Sequence, residues 1–387
     1  MKRLSTILLV TALAIPSFAQ LSGDGFYRLQ NTSSKRYATI ADNKANKKQV
    51  TSTSNADLYA LNTKEGFNSI VSDPGSIIYF EKNGDNGYIM RGQGMDTYKL
   101  SGLYIKFNDS RTAAGAYWAS VTYQGVAKYL HEAYEETFGF WYLTSATKNS
   151  DGTSRTKDWD IIPVTQEEGK YFGVKPDIEV GGKKYTTLYT SFAYQLSSGM
   201  KAYYVKQCNG DIAELTEIEG GIIPEATPVI IECISNNTAD NILTPLNNSS
   251  TGNFQNKLQG IYFCNVIKWA MDGEEEFEHP NWNTTNYDAA TMRVLGDVNG
   301  KLGFVKADDL KYLPANKAYL PVAESASASI ELVDAETYAT VGISEITTEK
   351  TTNNNGIYSL TGNKVEGKDN LPNGVYVING KKAILRK

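Results

Sequence analysis

The chain reads as an all-β protein of two or three domains, on three observations. Tyrosine is abundant at 25 and glycine stands at 33 among 387 residues. Runs of Thr, Val, Ile and Tyr recur between Asn-Gly, Asp-Gly and Ser-Gly pairs, the pattern of short strands joined by tight turns. The length exceeds what a single hydrophobic core usually supports.

The first element is not a strand. Lys2 and Arg3 precede an apolar run from Leu8 to Ile15, followed by Pro16 and the small residues Ser17 and Ala19. A charged start, a short apolar stretch and a small-residue exit predict a secretory signal peptide over residues 1–19, cut after Ala19. The run is too short for an anchor, which needs about 20 apolar residues. No later stretch is long and apolar enough to span a bilayer, so the mature chain is expected without a transmembrane segment, extracellular or at the cell surface.

Residues 21–165 form the first expected domain. Gly25 to Ile40 provides a strand, a polar turn and a second strand with an aromatic at each centre. Related spacing recurs from Ser76 to Arg91, and the block closes on "KDWDIIPV", Lys157 to Val164. One segment, Gly125 to Leu143, departs from alternation. Val126, Leu130 and Tyr134 recur at i and i+4 and predict a helical turn or two between Ala127 and Thr137.

The polar stretch Pro163 to Gly173 marks the join to a second, β-rich domain over residues 171–341. Strands are expected at Lys184–Leu196, Thr227–Ile234 and Lys317–Val322. Pro224 and Pro228 bracket the approach to "VIIECI", where the fixed φ of proline suits a strand edge. Asn209-Gly210 and Asn299-Gly300 sit between apolar runs as hairpin turns, where positive φ is cheap. Residues 347–356, "TTEKTTNNNG", carry no large apolar side chain and read as a flexible linker. The tail, residues 356–387, supplies a strand, two turns and a hairpin around Asn379-Gly380.

Composition narrows the function classes. Lys and Arg total 38 against 43 Asp and Glu, a net charge of -5, with the basic residues scattered. That is no nucleic-acid footprint, which would be a basic patch or stripe. Cys208, Cys233 and Cys264 allow one bridge with one thiol left over, or simply small buried side chains, and the sequence does not choose. Asp297, Asn299 and Gly300 begin a D-x-N-x-D-G calcium loop whose middle is lost, so a plain hairpin is expected there. His131, Glu132 and Glu135 spell H-E-x-x-E, but a zincin needs a second His at the last position. His131 and His279 are the only histidines, so a multi-His zinc site cannot be built and a solvated face is expected instead. There is no G-x-S-x-G elbow, phosphate loop or dinucleotide fingerprint. No catalytic residue, metal or cofactor is expected.

Three resemblances add to this reading. The opening Y-R-L-x-N from Tyr27 and the closing W-x-I-x-P-V from Trp159 resemble the first and last strands of a ricin-type β-trefoil. That family builds three hairpin units around a pseudo-threefold axis and often binds sugars in shallow pockets. The chain departs from it in lacking Q-x-W: Lys157 stands where Gln would precede Trp159. The resemblance therefore implies a fold more than a ligand. Asp24, Tyr37, Asp42, Asn43 and Trp118 are the candidate saccharide contacts by type, since carboxylates and amides bond hydroxyls and an aromatic face stacks on a pyranose. The competing reading makes the aromatics core and strand-pairing residues.

In the second domain, Y-x-T-L-Y from Tyr185, G-x-K-A-Y from Gly199, I-P-x-x-T-P-V-I from Ile223 and P-A-N-K-A-Y-L from Pro314 follow in order. This resembles a β-rich module of secreted and surface proteins of Bacteroidota. The tail resembles the C-terminal sorting domain of the type IX secretion system in Gly356, Tyr358, Gly362, Gly374, Tyr376, Asn379, Gly380, Lys381 and Lys387. That likeness implies recognition by an export machine at the outer membrane. Together these imply a noncatalytic surface or secreted protein of Bacteroidota that binds glycan through its first domain. The alternatives are a structural or adhesive component binding host or matrix protein, and a glycan hydrolase whose facing carboxylates only the fold would bring together.

Overall fold

A computed structural model of the chain describes residues 23–40, 61–82, 88–93, 104–107, 117–123, 126–135, 140–147, 158–247, 254–264, 266–269, 277–280, 284–346, 356–360, 362–365, 371–372, 374–378 and 381–385. The expected signal peptide, Asp42, Asn43, residues 347–355, Asn379, Gly380 and Lys387 lie outside these. Among the described residues the molecule is built almost wholly of strands, as expected, and no helix is long and apolar enough to cross a membrane.

The first region holds β1 (Gly25–Asn31), β2 (Arg36–Ile40), β3 (Leu61–Glu65), β4 (Ile78–Lys82), β5 (Tyr88–Arg91), β6 (Tyr104–Phe107), β7 (Tyr117–Tyr123), β8 (Val126–Glu135), β9 (Phe140–Thr147) and β10 (Asp158–Pro163). Its antiparallel pairings close a ring of six strands, β1-β4-β5-β6-β7-β10 and back to β1. Two hairpins, β2-β3 and β8-β9, stand off this ring and pair with each other through Asn62 and Tyr142. Leu29, Phe80 and Trp159, from three strands of the ring, are completely buried.

The expected helical turns between Ala127 and Thr137 do not form, because β8 runs through that segment and pairs with β9 from Lys128↔Thr147 to Glu135↔Phe140. The i, i+4 spacing of Val126, Leu130 and Tyr134 is also a multiple of two, so it puts all three on one face of a strand as readily as on a helix. The neighbouring strands decide between the two: β7 pairs with its first part and β9 with the rest.

The second region holds β11 (Phe172–Gly173), β12 (Ile178–Val180), β13 (Lys183–Leu188), β14 (Ala193–Leu196), β15 (Lys201–Asn209), β16 (Ile212–Glu217), β17 (Ile222–Ile223), β18 (Val229–Cys233), β19 (Ile242–Leu246), β20 (Gln259–Ile261), β21 (Val266–Trp269), β22 (Phe277–Pro280), β23 (Met292–Val298), β24 (Lys301–Val305), β25 (Lys317–Pro321) and β26 (Ser329–Val333), then helix α1 (Ala335–Ile346). Ten of these strands form one sheet in the order β12-β13-β18-β15-β16-β26-β24-β23-β25-β20, with β16 and β26 parallel. The sheet curls until its ends meet: the Ala318 amide on β25 donates to Thr187 Oγ1 on β13 at 3.0 Å, and Lys317 reaches Asp177 at 2.6 Å. Val205, Ile230, Phe304, Leu320 and Ile330 fill the inside of the curl. A four-stranded sheet, β11-β19-β14-β17, covers the outer face over Phe172, Tyr194, Ile223 and Leu243. Strand β18 is sandwiched between them, with Ile230 facing in and Val229 and Ile231 facing out, all completely buried. A strand buried on both faces has to be continuously apolar, and "VII" is.

Both expected hairpins form, but in the first the loop residues are Gly210 and Asp211, with Asn209 still in β15 and paired with Ile212. Asn299 and Gly300, at φ 54° and 83°, are the two loop residues between Val298 and Lys301, and Asp297 Oδ1 accepts from the Gly300 amide at 2.6 Å. The remnant calcium motif is therefore a capped turn. Helix α1 was not anticipated from the sequence. It begins at Asp334, whose carboxylate accepts from the Thr337 amide at 2.7 Å and is held below its ordinary pKa by that bond.

The join at Pro163 to Gly173 is a packed corner. On β1 the odd-numbered Tyr27 and Leu29 share one face, and Tyr27 meets Phe80 at 5.4 Å. The even-numbered Phe26 and Arg28 share the other, and Phe26 meets Phe192 of the second region at 5.6 Å. The buried Arg28 guanidinium donates to Ser76 Oγ and to the carbonyls of Lys170 and Tyr171 at 3.1, 3.1 and 2.9 Å. Ile77 belongs to the second region's core.

In the tail, β27 (Ile357–Ser359), β28 (Lys364–Val365), β29 (Gly374–Ile378) and β30 (Lys381–Leu385) form an antiparallel sheet in the order β28-β27-β29-β30. Leu371 and Tyr376 are buried, while Leu360 and Ile384 are exposed.

Candidate functional site

The two hairpins of the first region make a four-stranded strip, β2-β3-β9-β8. Directly paired residues of antiparallel strands face the same way and successive residues alternate. The pairs Arg36↔Glu65 and Tyr134↔Trp141 therefore belong to one face together with Thr63 and Glu132. The hydrogen bonds agree with this placement.

Arg36 is the centre of the face. It donates from Nη2 to Glu65 Oε1 at 2.7 Å and from Nη1 to Glu132 Oε1 at 3.4 Å. Its guanidinium carbon lies 4.0 Å from the centroid of the Trp141 ring. Glu132 is only 2% exposed. A carboxylate so deeply buried is tolerable only when paired and fully hydrogen-bonded. Besides Arg36 it accepts from Thr63 Oγ1 at 2.7 Å and from Ser34 Oγ. Glu65, by contrast, has its side chain 77% exposed. Tyr134 is 47% exposed, one of five large apolar or aromatic side chains so exposed among the described residues, and its ring centroid is 5.1 Å from that of Trp141.

The result is a surface with an exposed tyrosine packed on Trp141, an arginine held rigidly over the same indole, and an exposed carboxylate paired with that arginine. Such a surface can stack on an apolar ring face and hydrogen-bond polar groups at its edge. Glu132 is committed to holding Arg36 in place.

The residues singled out from the sequence lie elsewhere. Asp24 is exposed at the start of β1, where its Oδ1 accepts from the Lys82 amide at 2.6 Å and ties β1 to β4. Tyr37 is 6% exposed on the opposite face of β2 from Arg36, and burial pushes its phenol above the ordinary value. Its ring offers no face to solvent. Trp118 lies on β7, opposite Asp158. Neither Asp24 nor Tyr37 joins the Arg36 cluster, and Asp42, Asn43 and the Trp118 side chain fall outside what is described. The solvated face expected for "HEAYEE" is corrected at Glu132, which is buried because its strand turns it toward Arg36. Reading "HEAYE" and "FWYL" at period two is the signal that would have found Glu132, Tyr134 and Trp141.

A second concavity, of about 350 Å³, lies in the second region among Gln195, Ser197, Gly199, Lys201, Glu217 and Gly221. Its polar groups largely satisfy one another. Lys201 pairs with Glu217 at 2.8 Å, and the Gln195 amide donates to the carbonyls of Gly220 and Gly221 at 3.3 and 3.1 Å. Among the described residues no three His, Cys, Asp or Glu side chains converge as a metal site would require. Cys208 and Cys233 are free thiols.

No family model matches the chain, and no curated protein matches it either.

Proposed function

We propose that the chain is an exported, noncatalytic binding protein of the cell surface, and that its first domain holds a saccharide on the face formed by Arg36, Glu65, Tyr134 and Trp141. The observation that carries this reading is the exposed Tyr134 ring packed on Trp141, whose indole also carries Arg36 and, through it, the exposed Glu65 carboxylate. An exposed aromatic already packed against a tilted partner ring loses little side-chain entropy on binding. A closed ring of six strands with hairpins standing off it is the pairing expected of a trefoil-like domain, and supports that resemblance. The two carboxylates share one guanidinium instead of facing each other across a cleft, which favours binding over hydrolysis. The small tail sheet, with Leu360 and Ile384 exposed, supports its reading as an address for an outer-membrane export machine.

A glycan array probed with the whole mature chain tests this, alongside Tyr134→Ala and Trp141→Ala variants with unchanged circular dichroism. Saturable binding that weakens about 30-fold in Tyr134→Ala is expected, since a central aromatic anchor is worth about 2 kcal/mol. A folded chain that binds no glycan removes the saccharide reading and leaves adhesion to protein as the better account.

A further inference from the structure

We propose that the Arg36 face prefers a sugar carrying a free amino group, a hexosamine without its N-acetyl, over N-acetylated or acidic sugars; this rests on the saccharide reading above. The argument is one of charge and of which groups remain unspent. Among the described side chains of this face, Arg36 carries the positive charge while Glu65 and Glu132 carry two negative ones. Lys64 is on the opposite face, where it pairs with Asp73 at 2.5 Å. Arg36 is already used on both terminal nitrogens and on its flat face, which lies over Trp141. Its charge is already balanced by two carboxylates, so an acidic sugar would find no unneutralised cation and would meet Glu65 as well.

An ammonium group finds the opposite situation. The exposed Glu65 carboxylate can accept a charge-assisted hydrogen bond from it. The exposed Tyr134 side chain offers an aromatic ring to which a cation is attracted. Ser34 and Thr63 are turned inward to Glu132, so among the described side chains the outer polar chemistry of the face is set chiefly by Glu65. N-acetylation removes the charge and with it both attractions.

Isothermal titration of the whole mature chain with oligomers of equal length tests this, using glucosamine, N-acetylglucosamine and glucuronate oligomers. The glucosamine oligomer is expected to bind at least tenfold more tightly than the other two. Glu65→Gln should erase that advantage while leaving the N-acetylated oligomer unaffected, and Tyr134→Ala should weaken all binding. Equal or tighter binding of the N-acetylated or acidic oligomer, lost in Tyr134→Ala, overturns the amine preference and leaves the saccharide reading standing. A preference untouched by Glu65→Gln also overturns it. If no oligomer titrates and the glycan array is equally silent, both fall together.

Discussion

Glu132 shows at the scale of one residue how a surface site is made rigid. Three donors reach its carboxylate, from Ser34, Arg36 and Thr63, and the side chain is almost wholly out of water. Removing one member of a buried, hydrogen-bonded ion pair leaves the other uncompensated, which costs about 3 kcal/mol or more. Glu132→Ala should therefore lower stability by about that amount in urea unfolding, whereas the exposed Tyr134→Ala should stay within about 0.5 kcal/mol of the parent. A Glu132→Ala protein as stable as the parent would mean that the pair does not form. The thiols offer a second check at this scale. Burial pushes the Cys233 thiol up to about 12, and Cys208, though also raised by desolvation, stands at the surface. Since the thiolate is the reacting species, iodoacetamide on the native protein should label Cys208 and spare Cys233 until the chain is unfolded. Peptide mapping that finds Cys233 modified first would contradict this burial.

At the scale of elements, the sequence was legible where each strand reports its own surroundings and illegible where a neighbour decides. "GFYRLQN", "VIIECI" and "KAYLPV" read as strands because β-branched and aromatic residues between turn signals have few other solutions. The Asn299-Gly300 hairpin was equally plain. The segment at β8 was misread because spacings of four satisfy both a helix and a strand, and only β9 and β7 beside it break the tie. The Arg36 cluster was hidden for a related reason. Its members come from Arg36, Glu65, Glu132 and Trp141, far apart in the chain, and only the pairing of the two hairpins brings them together. The join near Lys170 looked like a polar boundary, although its carbonyls are what Arg28 holds. Arg28→Ala strands those carbonyls in a buried corner, at a cost of about 1–3 kcal/mol each. Calorimetry of the parent should show the first and second regions unfolding together, and the variant should melt earlier, with the first region separating. A single unshifted transition in the variant would show that Phe26 and Ile77 suffice to couple them.

For the whole molecule, the abundance of tyrosine that marked the chain as a β protein also sets how it meets alkali. Tyr37, Tyr79, Tyr185, Tyr194, Tyr203, Tyr319 and Tyr338 all have phenols raised above the ordinary 10.0, in every case chiefly by desolvation. Tyr203 is raised further by donating to Glu232 at 2.9 Å. In the unfolded chain these phenols ionise near 10, so between that pH and their raised folded values the folded state holds more protons than the unfolded one. The stability they contribute is complete below about pH 10 and is lost as pH rises through the folded values. Arg28 acts in the other direction: burial lowers it from 12.5 to about 10, so it adds stability as pH climbs between those values. One arginine stands against seven tyrosines, and the tyrosines dominate. Titration from about pH 9 to about pH 12, following tyrosinate absorbance and near-ultraviolet circular dichroism together, should therefore show a late, steep rise in tyrosinate coincident with loss of tertiary signal. A gradual titration centred on the ordinary phenol value with the tertiary signal intact would mean that these tyrosines are open to water, and the packing of both curled sheets would need to be redrawn.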